Sequence, residues 1–424
     1  MERPLTGAIR PDNRPLGLKE YEASGGYQGM RKALSAMTPG EVVDEVKKAN
    51  LRGRGGAGFP TGQKFESMAP VSDPRRPRYL VANADEMEPG TFKDRMLIEG
   101  NPHQLVEGMI ISSYAVQADI AYIFLRWEYN APVRDLEQAL AEAYAAGYLG
   151  KDILKSGYSL DIHVHVSAGR YICGEETALL NALEGRRAIP RSRPPHATLV
   201  GLWGKPSIVN NAETLCNVSH IIKNGAEWYR SISRSEDGGT KIFGVSGHVK
   251  TPSAWELPMG TTIREILYEH ARGMSDGYRL RALLPGGAST EFILEEHLDV
   301  QMDYSSVQKV GSRMGTGTMV VLDDKTCPVG FVLNLERFFA RESCGWCTPC
   351  REGLYWTERI LGEIEAGRGE AGDIATLRSM TRMMSMGRTF CVLAPGAMEP
   401  LQSALTYFKE DFERHISGKG CPWK

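Results

Sequence analysis

Four cysteines near the C-terminal end constrain the fold of this chain most strongly. Cys344, Cys347 and Cys350 follow one another at two-residue spacing, and Cys391 stands further along in Thr389-Phe-Cys-Val-Leu-Ala-Pro-Gly. The chain between Cys350 and Cys391 must run out and back to bring all four thiolates together, which a pair of helices can do. A compact C-x2-C-x2-C run is typical of [4Fe–4S] ligation, whereas structural zinc more often uses two separate C-x2-C pairs. The spacing predicts an iron–sulfur cluster, with zinc as the alternative.

The composition favours a soluble intracellular protein of two or three domains. The chain has 424 residues and a net charge of −2, so nucleic acid is not an expected partner. The N-terminus lacks the apolar core of a signal peptide, and charged residues interrupt the longest apolar stretch, 105–125, so no membrane insertion is expected. The other four cysteines are predicted to be reduced, mainly buried thiols: Cys173, Cys216, Cys327 and Cys421.

A glycine-rich segment, 52–64, is predicted to approach a phosphorylated ligand closely. A helix begins at Thr38-Pro-Gly-Glu41, a capping box with proline in the first turn, and leads into this segment. The segment contains G-x-G-x-x-G, but the usual dinucleotide motif requires a preceding strand rather than a helix. Five glycines and three basic side chains allow backbone N–H groups and cations to reach a phosphate. The alternative is a flexible surface loop.

Strands and helices alternate after this loop, which predicts a mostly parallel α/β sheet. Strands are expected at 79–83, 120–125 and 160–166, with helices at 101–116, 133–146 and 176–185. Polar segments follow the strands at 83–88, 126–129 and 174–176, where parallel sheets bind ligands. This agreement between topology and polar clustering predicts an active site. For Glu175 and Glu176 the alternative is a pair of solvated helix-start acids, and His163 and His165 are expected to be packed or solvated rather than ligands.

The remainder of the chain shows three kinds of pattern. Residues 186–217 are predicted to be an irregular loop in which Arg191, Arg193 and Lys205 suit a pyrophosphate or form a basic surface. A small α+β module without a chemical motif is expected from Lys241. Helical patterns at 329–341, 351–366, 372–386 and 396–416 predict a four-helix bundle whose loops carry the four cysteines.

In these motifs the chain closely resembles the flavin-containing, NADH-oxidising subunit of respiratory complex I. The matching stretches are Arg52-Gly-Arg-Gly-Gly-Ala-Gly-Phe-Pro-Thr-Gly, Asn83-Ala-Asp-Glu-Met-Glu-Pro-Gly-Thr, Tyr171-Ile-Cys-Gly-Glu-Glu-Thr-Ala-Leu, Gly201-Leu-Trp-Gly-Lys-Pro, Asn210-Asn-Ala-Glu-Thr, Glu342-Ser-Cys-Gly-Trp-Cys-Thr-Pro-Cys-Arg-Glu-Gly and Thr389-Phe-Cys. They cover nearly the whole chain in order, and their combination is highly specific.

The resemblance implies the cofactors and the site residues. FMN, NADH as substrate and a [4Fe–4S] cluster are expected. The glycine-rich loop contributes Gly53, Arg54, Gly55, Gly56, Ala57 and Gly58, and FMN is further held by Lys64, Asn83, Asp85, Glu86, Gly174, Glu175, Asn210, Asn211 and Thr214. The residues expected to face NADH are Phe59, Glu88, Glu176 and Arg193, of which Glu88 and Glu176 are the candidate catalytic residues. The cluster ligands are Cys344, Cys347, Cys350 and Cys391.

The resemblance also implies the domain order and the function. It gives a Rossmann-like α/β domain for FMN and NADH with an N-terminal arm at 1–237, a ubiquitin-like β-grasp module of the SLBB type at 238–326, and a helical bundle with the cluster at 327–424. The expected activity is hydride transfer from NADH to FMN, followed by one-electron transfer to the cluster and on toward quinone.

The expected partners are a thioredoxin-like [2Fe–2S] subunit and a larger iron–sulfur subunit, on the cytoplasmic side of the bacterial inner membrane. A related diaphorase subunit of an NAD-linked hydrogenase or formate dehydrogenase is the alternative. Extra thioredoxin-like or cluster segments are common in those subunits and are not seen in this sequence, which favours complex I. A third possibility is a cluster-bearing scaffold without redox catalysis, which the intact loop and carboxylate set disfavour.

Overall fold

The structure of the protein is a computed structural model, and it describes residues 2–68, 70, 72–73 and 75–423. The chain divides into two compact units. The first unit runs to Met87 and adds Phe92–Ile242 and Glu256–Thr261. The second unit comprises Glu88–Thr91, Phe243–Trp255 and the chain from Thr262 onward.

A four-stranded parallel sheet forms the centre of the first unit. Its strands, in chain order, are β1 (Tyr79–Ala84), β2 (Ile120–Leu125), β3 (Asp161–Val166) and β4 (Ser207–Asn211). They lie side by side in the order β3-β2-β1-β4, and every neighbouring pair is parallel. The predicted parallel α/β sheet is confirmed. Because the chain moves from β1 outward to β3 and then returns to the other side of β1, the topological switch point lies between β1 and β4.

The prediction that 186–217 is irregular throughout was wrong for its last part. Ser207–Asn211 forms β4, and a helix begins at Ala212. The strand is short and ends in two asparagines, so its sequence lacks the apolar run expected of a buried strand. Its place is decided by pairing, because Tyr79 to Asn83 of β1 align with Ser207 to Asn211 residue by residue.

Helices surround this sheet. The α-helices of the first unit are α1 (Leu18–Ala23), α2 (Gln28–Ala36), α3 (Pro39–Lys48), α4 (Thr61–Glu66), α5 (Lys93–Gly100), α6 (Pro102–Val116), α7 (Asn130–Ala145), α8 (Glu176–Leu183), α9 (Ala212–Asn224) and α10 (Ala226–Ser231). The predicted capping box is confirmed at α3, where the Thr38 hydroxyl accepts from the Glu41 N–H and the Glu41 carboxylate accepts from the Thr38 N–H.

Buried carboxylates hold the N-terminal segment to the first unit. Glu107 of α6 accepts hydrogen bonds from the Tyr21 hydroxyl at 2.5 Å and from the backbone N–H groups of Tyr27 and Met30. Glu256 accepts from the backbone N–H of Thr6 at 2.7 Å. The segment is therefore ordered by specific acceptors inside the unit.

A second four-stranded sheet has the order β6-β5-β8-β7. Its strands are β5 (Thr240–Ser246), β6 (Ser253–Pro258), β7 (Leu280–Leu284) and β8 (Thr318–Asp323). The division between the two units falls inside β5 and β6. β5 pairs with β8 in parallel, and β7 pairs with β8 antiparallel. A π-helical turn, Glu265–His270, lies in the chain between β6 and β7.

Helices dominate the C-terminal part of the second unit. They are α11 (Tyr304–Lys309), α12 (Pro328–Glu342), α13 (Thr348–Glu365), α14 (Asp373–Met383), α15 (Leu393–Tyr407) and α16 (Lys409–Ser417). The predicted single helix at 396–416 was wrong, since Phe408 leaves helical geometry with φ −118° and separates α15 from α16. Its ring packs edge-to-face on Phe292, with the centroids 5.2 Å apart, so tertiary packing explains the break. Among the described residues, no helix is both long and apolar enough to cross a membrane.

Candidate functional site

The glycine-rich loop of the first unit is closed on itself rather than open. Arg52 and Pro60 form an antiparallel bridge, and the Gly53 N–H donates to the Phe59 carbonyl at 2.9 Å. Gly56 and Gly58 have φ of 117° and 66°, conformations that side chains other than glycine rarely adopt. The two ends of the loop are thus held together by backbone pairing, and glycines allow the backbone conformation between them.

The loop lies directly against the end of β4. A Cβ atom added to Gly55 would stand 3.0 Å from the Cβ of Asn211, so glycine is needed there for close approach. The Arg54 N–H donates to the Thr214 hydroxyl at 2.8 Å, which ties the loop to the start of α9. The structure therefore brings the predicted loop, Asn211 and Thr214 together.

The side chain of Arg54 does not face a ligand phosphate, as was expected of a basic residue in this loop. Its guanidinium is fully buried and donates to the carbonyls of Gly238 and Thr240 at 2.7 and 2.9 Å. These interior bonds hold the base of the loop. The basic side chains of this segment that keep some exposure are Arg52 and Lys64.

Polar groups from three strand ends meet at the switch point. Asn83 of β1 is aligned with Asn211 of β4, and its amide donates to the Cys173 carbonyl at 3.3 Å. The Asp85 N–H donates to the Asn83 side-chain oxygen at 3.1 Å, and the Asp85 carboxylate accepts from the Ser167 hydroxyl after β3. The predicted convergence of the segments after β1 and β3 is present, and the end of β4 takes part as well. The predicted segment after β2 contributes Arg126, which donates to the Glu86 carbonyl at 2.6 Å.

Two features at the switch point suit a polar planar ligand. The Oδ1 atom of Asn210 is buried, and no described residue hydrogen-bonds to it. A buried amide oxygen without a partner costs free energy unless a ligand donor satisfies it. Gly174 has open space around the position that a side chain would occupy. The donor and acceptor chemistry of these residues fits the ring and hydroxyl groups of a flavin nucleotide.

Glu86 was also predicted to hold the flavin, but in this structure its carboxylate is hydrogen-bonded to other residues of the protein. Its carboxylate accepts from the N–H groups of Asp94 and Arg95 at the start of α5, at 2.9 and 3.1 Å, and from the Tyr129 hydroxyl at 2.9 Å. Burial raises its pKa to about 7, and the nearby charge of Asp94 adds to this shift. Glu86 therefore positions α5 behind the polar site.

A buried group of charges behind Asn211 was not predicted from the sequence. Asp94 accepts from the Asn211 amide at 2.7 Å, and Lys93 pairs with Asp94 at 2.7 Å and with Glu213 at 3.0 Å. Lys241 pairs with the same Glu213 at 3.1 Å. Burial alone would raise the pKa of Glu213, but Lys241 and Lys93 outweigh it and lower the pKa to about 2. In the sequence, Lys93 and Asp94 look like ordinary charged residues in the first turn of a helix. Only their burial in the structure shows that they orient the Asn211 side chain.

The predicted carboxylates at the start of α8 form a charged patch with two cations. Glu175 caps the helix by accepting from the N–H groups of Thr177 and Ala178. Glu176 pairs with Lys64 at 2.8 Å and with Arg193 at 3.2 Å. Burial opposes ionisation of Glu176, yet these two cations keep its pKa below the usual value.

The last two residues predicted to face NADH stand in different units. Phe59 of the loop is 56% exposed, which is unusual for a phenylalanine in a pinned segment. Glu88 belongs to the second unit, where its carboxylate accepts from the Ser289 N–H at 2.7 Å.

The loops that carry the four predicted cluster cysteines meet in the second unit. Cys344 and Cys347 lie in the turn between α12 and α13, Cys350 lies in the first turn of α13, and Cys391 precedes α15. The ring of Trp346, which precedes Cys347, packs edge-to-face on Phe390, which precedes Cys391, with the centroids 6.4 Å apart. Burial and the charges of the other three thiols together raise the pKa of Cys350 to about 12. Helices α13 and α14 supply the predicted out-and-back path.

The ligand pattern of these thiols favours a cluster over a single ion. A compact C-x2-C-x2-C run with a fourth, distant cysteine is typical of [4Fe–4S] ligation, whereas structural zinc more often uses two separate C-x2-C pairs.

The fold and the two sites define an iron–sulfur flavoprotein, and comparison with known protein families agrees. Residues 46–220 match the family described as Nuo51 FMN-binding domain. Residues 242–292 match the SLBB domain, and residues 330–415 match the NADH-ubiquinone oxidoreductase-F iron-sulfur binding region. The predicted fold class, FMN and the [4Fe–4S] cluster are confirmed at the level of these families.

The chain belongs to the family of the F subunit of NADH-quinone oxidoreductase. It is 56% identical to the F subunit of this enzyme in Escherichia coli strain K12 over 413 residues, which cover 97% of this chain and 93% of that protein. It is 46% identical to the F subunit of the Streptomyces coelicolor enzyme, covering 99% of this chain and 92% of that protein.

Solved structures show the same fold in a related enzyme. A chain of an NAD+-reducing [NiFe]-hydrogenase in the air-oxidized state superposes with a TM-score of 0.83 at 33% identity, covering 95% of this chain and 67% of that one. The expected three-domain boundaries remain a prediction, as do the individual site residues.

Proposed function

We propose that this chain is the NADH-oxidising subunit of a respiratory NADH:quinone oxidoreductase. It takes a hydride from NADH onto FMN and passes electrons one at a time to a [4Fe–4S] cluster. The observation that carries the proposal is the convergence of the glycine-rich loop and three strand ends at the switch point of the parallel sheet. Family membership supports the activity.

The chain's own residues would hold FMN by their polar groups and by close backbone approach. Gly55 of the loop lies against Asn211, and Lys64 pairs with Glu176 in the charged patch at the start of α8. The side-chain amides of Asn83 and Asn210 and the carboxylate of Asp85 supply donors and acceptors at the strand ends. Thr214 and Gly174 complete the set. FMN, when bound, supplies the hydride chemistry and the conversion from two-electron to one-electron transfer.

NADH would be aligned by residues at the edge of the same site. The exposed ring of Phe59 offers a flat apolar face for a planar ring. Arg193 is held in place by Glu175 and Glu176, so its cation is oriented for a phosphate or carboxamide oxygen. Glu176 and Glu88 are assigned to the dinucleotide by resemblance. No side chain acts as a nucleophile, because orientation is what the protein contributes.

Cys344, Cys347, Cys350 and Cys391 would bind the cluster that receives the electrons. We infer that a thioredoxin-like [2Fe–2S] subunit and a larger iron–sulfur subunit are the neighbours in the complex. The cytoplasmic face of the bacterial inner membrane is the proposed location. Co-purification of a tagged chain with both subunits, and loss of NADH-driven quinone reduction from membranes lacking the chain, would test the assembly.

An anaerobic NADH titration of the purified chain, followed by absorbance and EPR, tests the activity. Bleaching of the flavin together with a new cubane-type EPR signal is the expected result. Bleaching without an EPR signal calls for iron analysis, because a lost cluster and a low potential give the same spectrum. A chain that contains FMN and is not bleached by NADH would contradict the proposal.

The second candidate is a diaphorase subunit of an NAD-linked hydrogenase. The structural similarity to an NAD+-reducing [NiFe]-hydrogenase favours it. The identity of 56% to the F subunit of a NADH-quinone oxidoreductase, against 33% to the hydrogenase chain, supports the respiratory enzyme more strongly. Recovery of hydrogenase subunits instead of complex I subunits with the tagged chain would favour this alternative.

A further inference from the structure

A second group of metal-ligating side chains lies in the second unit, apart from the four cluster cysteines. It consists of Cys327, Glu365, His415 and Cys421, one donor atom from each lying within 4.8 Å of all the others. The first three of these residues lie in helices or their caps, and Cys421 comes from the C-terminal tail.

Three of the four donor atoms have the spacing of a tetrahedral site, and the Cys421 sulfur lies within 4.8 Å of each of them. The Cys327 sulfur lies 3.2 Å from His415 Nε2 and 3.5 Å from the Glu365 Oε2 atom, and the His415 Nε2 atom lies 3.1 Å from that same oxygen. Tetrahedral zinc with ordinary Zn–S, Zn–N and Zn–O bonds places its ligand atoms about 3.4–3.8 Å apart. The group is therefore nearly preformed for one small ion.

The hydrogen bonding of His415 turns its second nitrogen toward the group. Its Nδ1 atom lies 2.6 Å from the Asp411 carbonyl, which can only accept, so Nδ1 carries a proton. In the neutral ring, Nε2 then presents a lone pair to a sulfur and a carboxylate oxygen. The Cys327 thiol donates its proton to the Glu365 carboxylate, and a metal cation bound by these three atoms would replace that proton. A histidine held by its other nitrogen on a carbonyl is the usual arrangement at metal sites.

The surroundings support a metal-bound thiolate. Cys327 is the N-cap of α12, and its sulfur accepts from the Gly330 N–H at 3.3 Å. A helix N-terminus stabilises negative charge on that sulfur. A Cβ on Gly330 would come within 3.3 Å of Glu365, so glycine leaves room for the carboxylate. The Trp423 ring stacks on His415, with the centroids 6.0 Å apart.

We propose that Cys327, Glu365, His415 and Cys421 bind one structural Zn²⁺. Two thiolates and an imidazole select zinc over magnesium or calcium, and four protein ligands leave no position for a substrate. The site stands at the far end of the α12–α13 pair from the cluster cysteines, since Cys327 precedes α12 and Glu365 ends α13. The 15-residue α12 alone separates the two ends by about 22 Å. The zinc ties α16 and the C-terminal tail to that end.

Metal analysis of the full chain, purified anaerobically with its flavin and cluster, tests the proposal. Zinc, iron and FMN are measured per chain in the wild type and in Cys421→Ser, Cys391→Ser and Cys216→Ser. The expected wild-type content is about one zinc per chain. Cys421→Ser should lose most of the zinc and keep iron and FMN, while Cys391→Ser should lose iron and keep zinc. Cys216→Ser, a buried cysteine of the first unit, is the control and should keep both.

A second measurement covers the case in which Cys421→Ser does not fold. Glu365→Gln keeps the size of the side chain, and Co²⁺ replacing Zn²⁺ should give thiolate-to-cobalt absorption bands that this variant weakens or shifts. Wild-type protein without zinc and without Co²⁺ bands, or zinc that leaves with Cys391→Ser instead of Cys421→Ser, would overturn the proposal. Iron at this group, or a Cys327–Cys421 disulfide found by mass spectrometry in anaerobically purified protein, would overturn it as well.

Discussion

Gly55 shows how little room separates the glycine-rich loop from β4. Because a Cβ there would stand 3.0 Å from Asn211, Gly55→Ala must push the asparagine or the loop aside. We expect FMN affinity to fall about tenfold, equivalent to about 1.4 kcal/mol, with little loss of stability. Flavin release measured by fluorescence checks this. Gly40→Ala in α3, where a Cβ meets nothing within 4 Å, is the control and should bind FMN as the wild type does.

Glu86 should make stability depend on pH in a defined direction. Its pKa is about 7 in the folded protein and 4.5 for an ordinary glutamate, so between these values the folded state holds a proton that the unfolded state has lost. Stability therefore falls as pH rises from 4.5 to 7, by on the order of 1–3 kcal/mol. Glu86→Gln cannot ionise and should lose this dependence.

Apparent thermal midpoints of the two proteins between pH 5 and 8 measure the effect, with flavin present at saturation throughout. Glu137→Gln on the exposed side of α7 should keep the wild-type slope. Equal slopes for the wild type and Glu86→Gln would show that Glu86 is already ionised in the folded protein at low pH.

The group of buried charges behind Asn211 leads to a third prediction for a single residue, Glu213. Glu213 is fully buried and faces Lys93 and Lys241 at 3.0 and 3.1 Å. Glu213→Gln leaves two buried cations without their shared carboxylate, so we expect a loss of about 3–5 kcal/mol at pH 7. Chemical unfolding measures it. Glu227→Gln on the exposed side of α10 should change stability by less than about 0.5 kcal/mol, and an equal loss in both variants would contradict the buried-pair argument.

Helices α6 and α9 approach each other closely in the first unit, and Gly108 permits this. A Cβ on Gly108 would stand 2.1 Å from the Leu215 carbonyl oxygen, a backbone atom that cannot move alone. Gly108→Ala should separate the helices and destabilise the chain by about 1–3 kcal/mol or more. Because α9 begins beside Asn211, flavin binding should weaken too.

Gly362→Ala in α13 is the matched control for that helix substitution. It also lies inside a helix, but a Cβ there meets nothing within 4 Å. Alanine favours helix over glycine, so this variant should be more stable by about 0.5–1 kcal/mol. Denaturant midpoints of both variants give the comparison. A stable Gly108→Ala protein would mean that α6 and α9 can shift without cost.

For the whole molecule, the flavin site and the cluster site belong to different units and should be separable by mutation. The residues assigned to FMN lie in the first unit, and all four cluster cysteines lie in the second. Cys391→Ser should therefore lose the cluster yet keep NADH-dependent flavin bleaching. Stopped-flow absorbance and iron content check this, and a variant whose flavin no longer bleaches would show that the two sites depend on each other.

The sequence by itself determined the chemistry of this protein. The cysteine spacing predicted the cluster ligands, and the polar segments after β1, β2 and β3 predicted a site at the carboxyl edge of a parallel sheet. These features could be predicted because the residue types, their spacing and the strand periodicity are all visible within short stretches of the sequence. The resemblance then supplied FMN, and with it Asn210, Asn211 and Thr214, which no local pattern singled out.

Only the tertiary structure decided which polar residues serve the ligand site and which serve the interior. From the sequence, Arg54 was expected to bind a phosphate, but it is buried and donates to backbone carbonyls. Lys93 and Asp94 resemble surface charges in the sequence, but they are buried and orient Asn211. The strand Ser207–Asn211 and the break at Phe408 likewise depend on distant partners. Burial and pairing depend on contacts between residues far apart in the chain. Such contacts produce no periodic pattern in the sequence, so they could not be predicted from it.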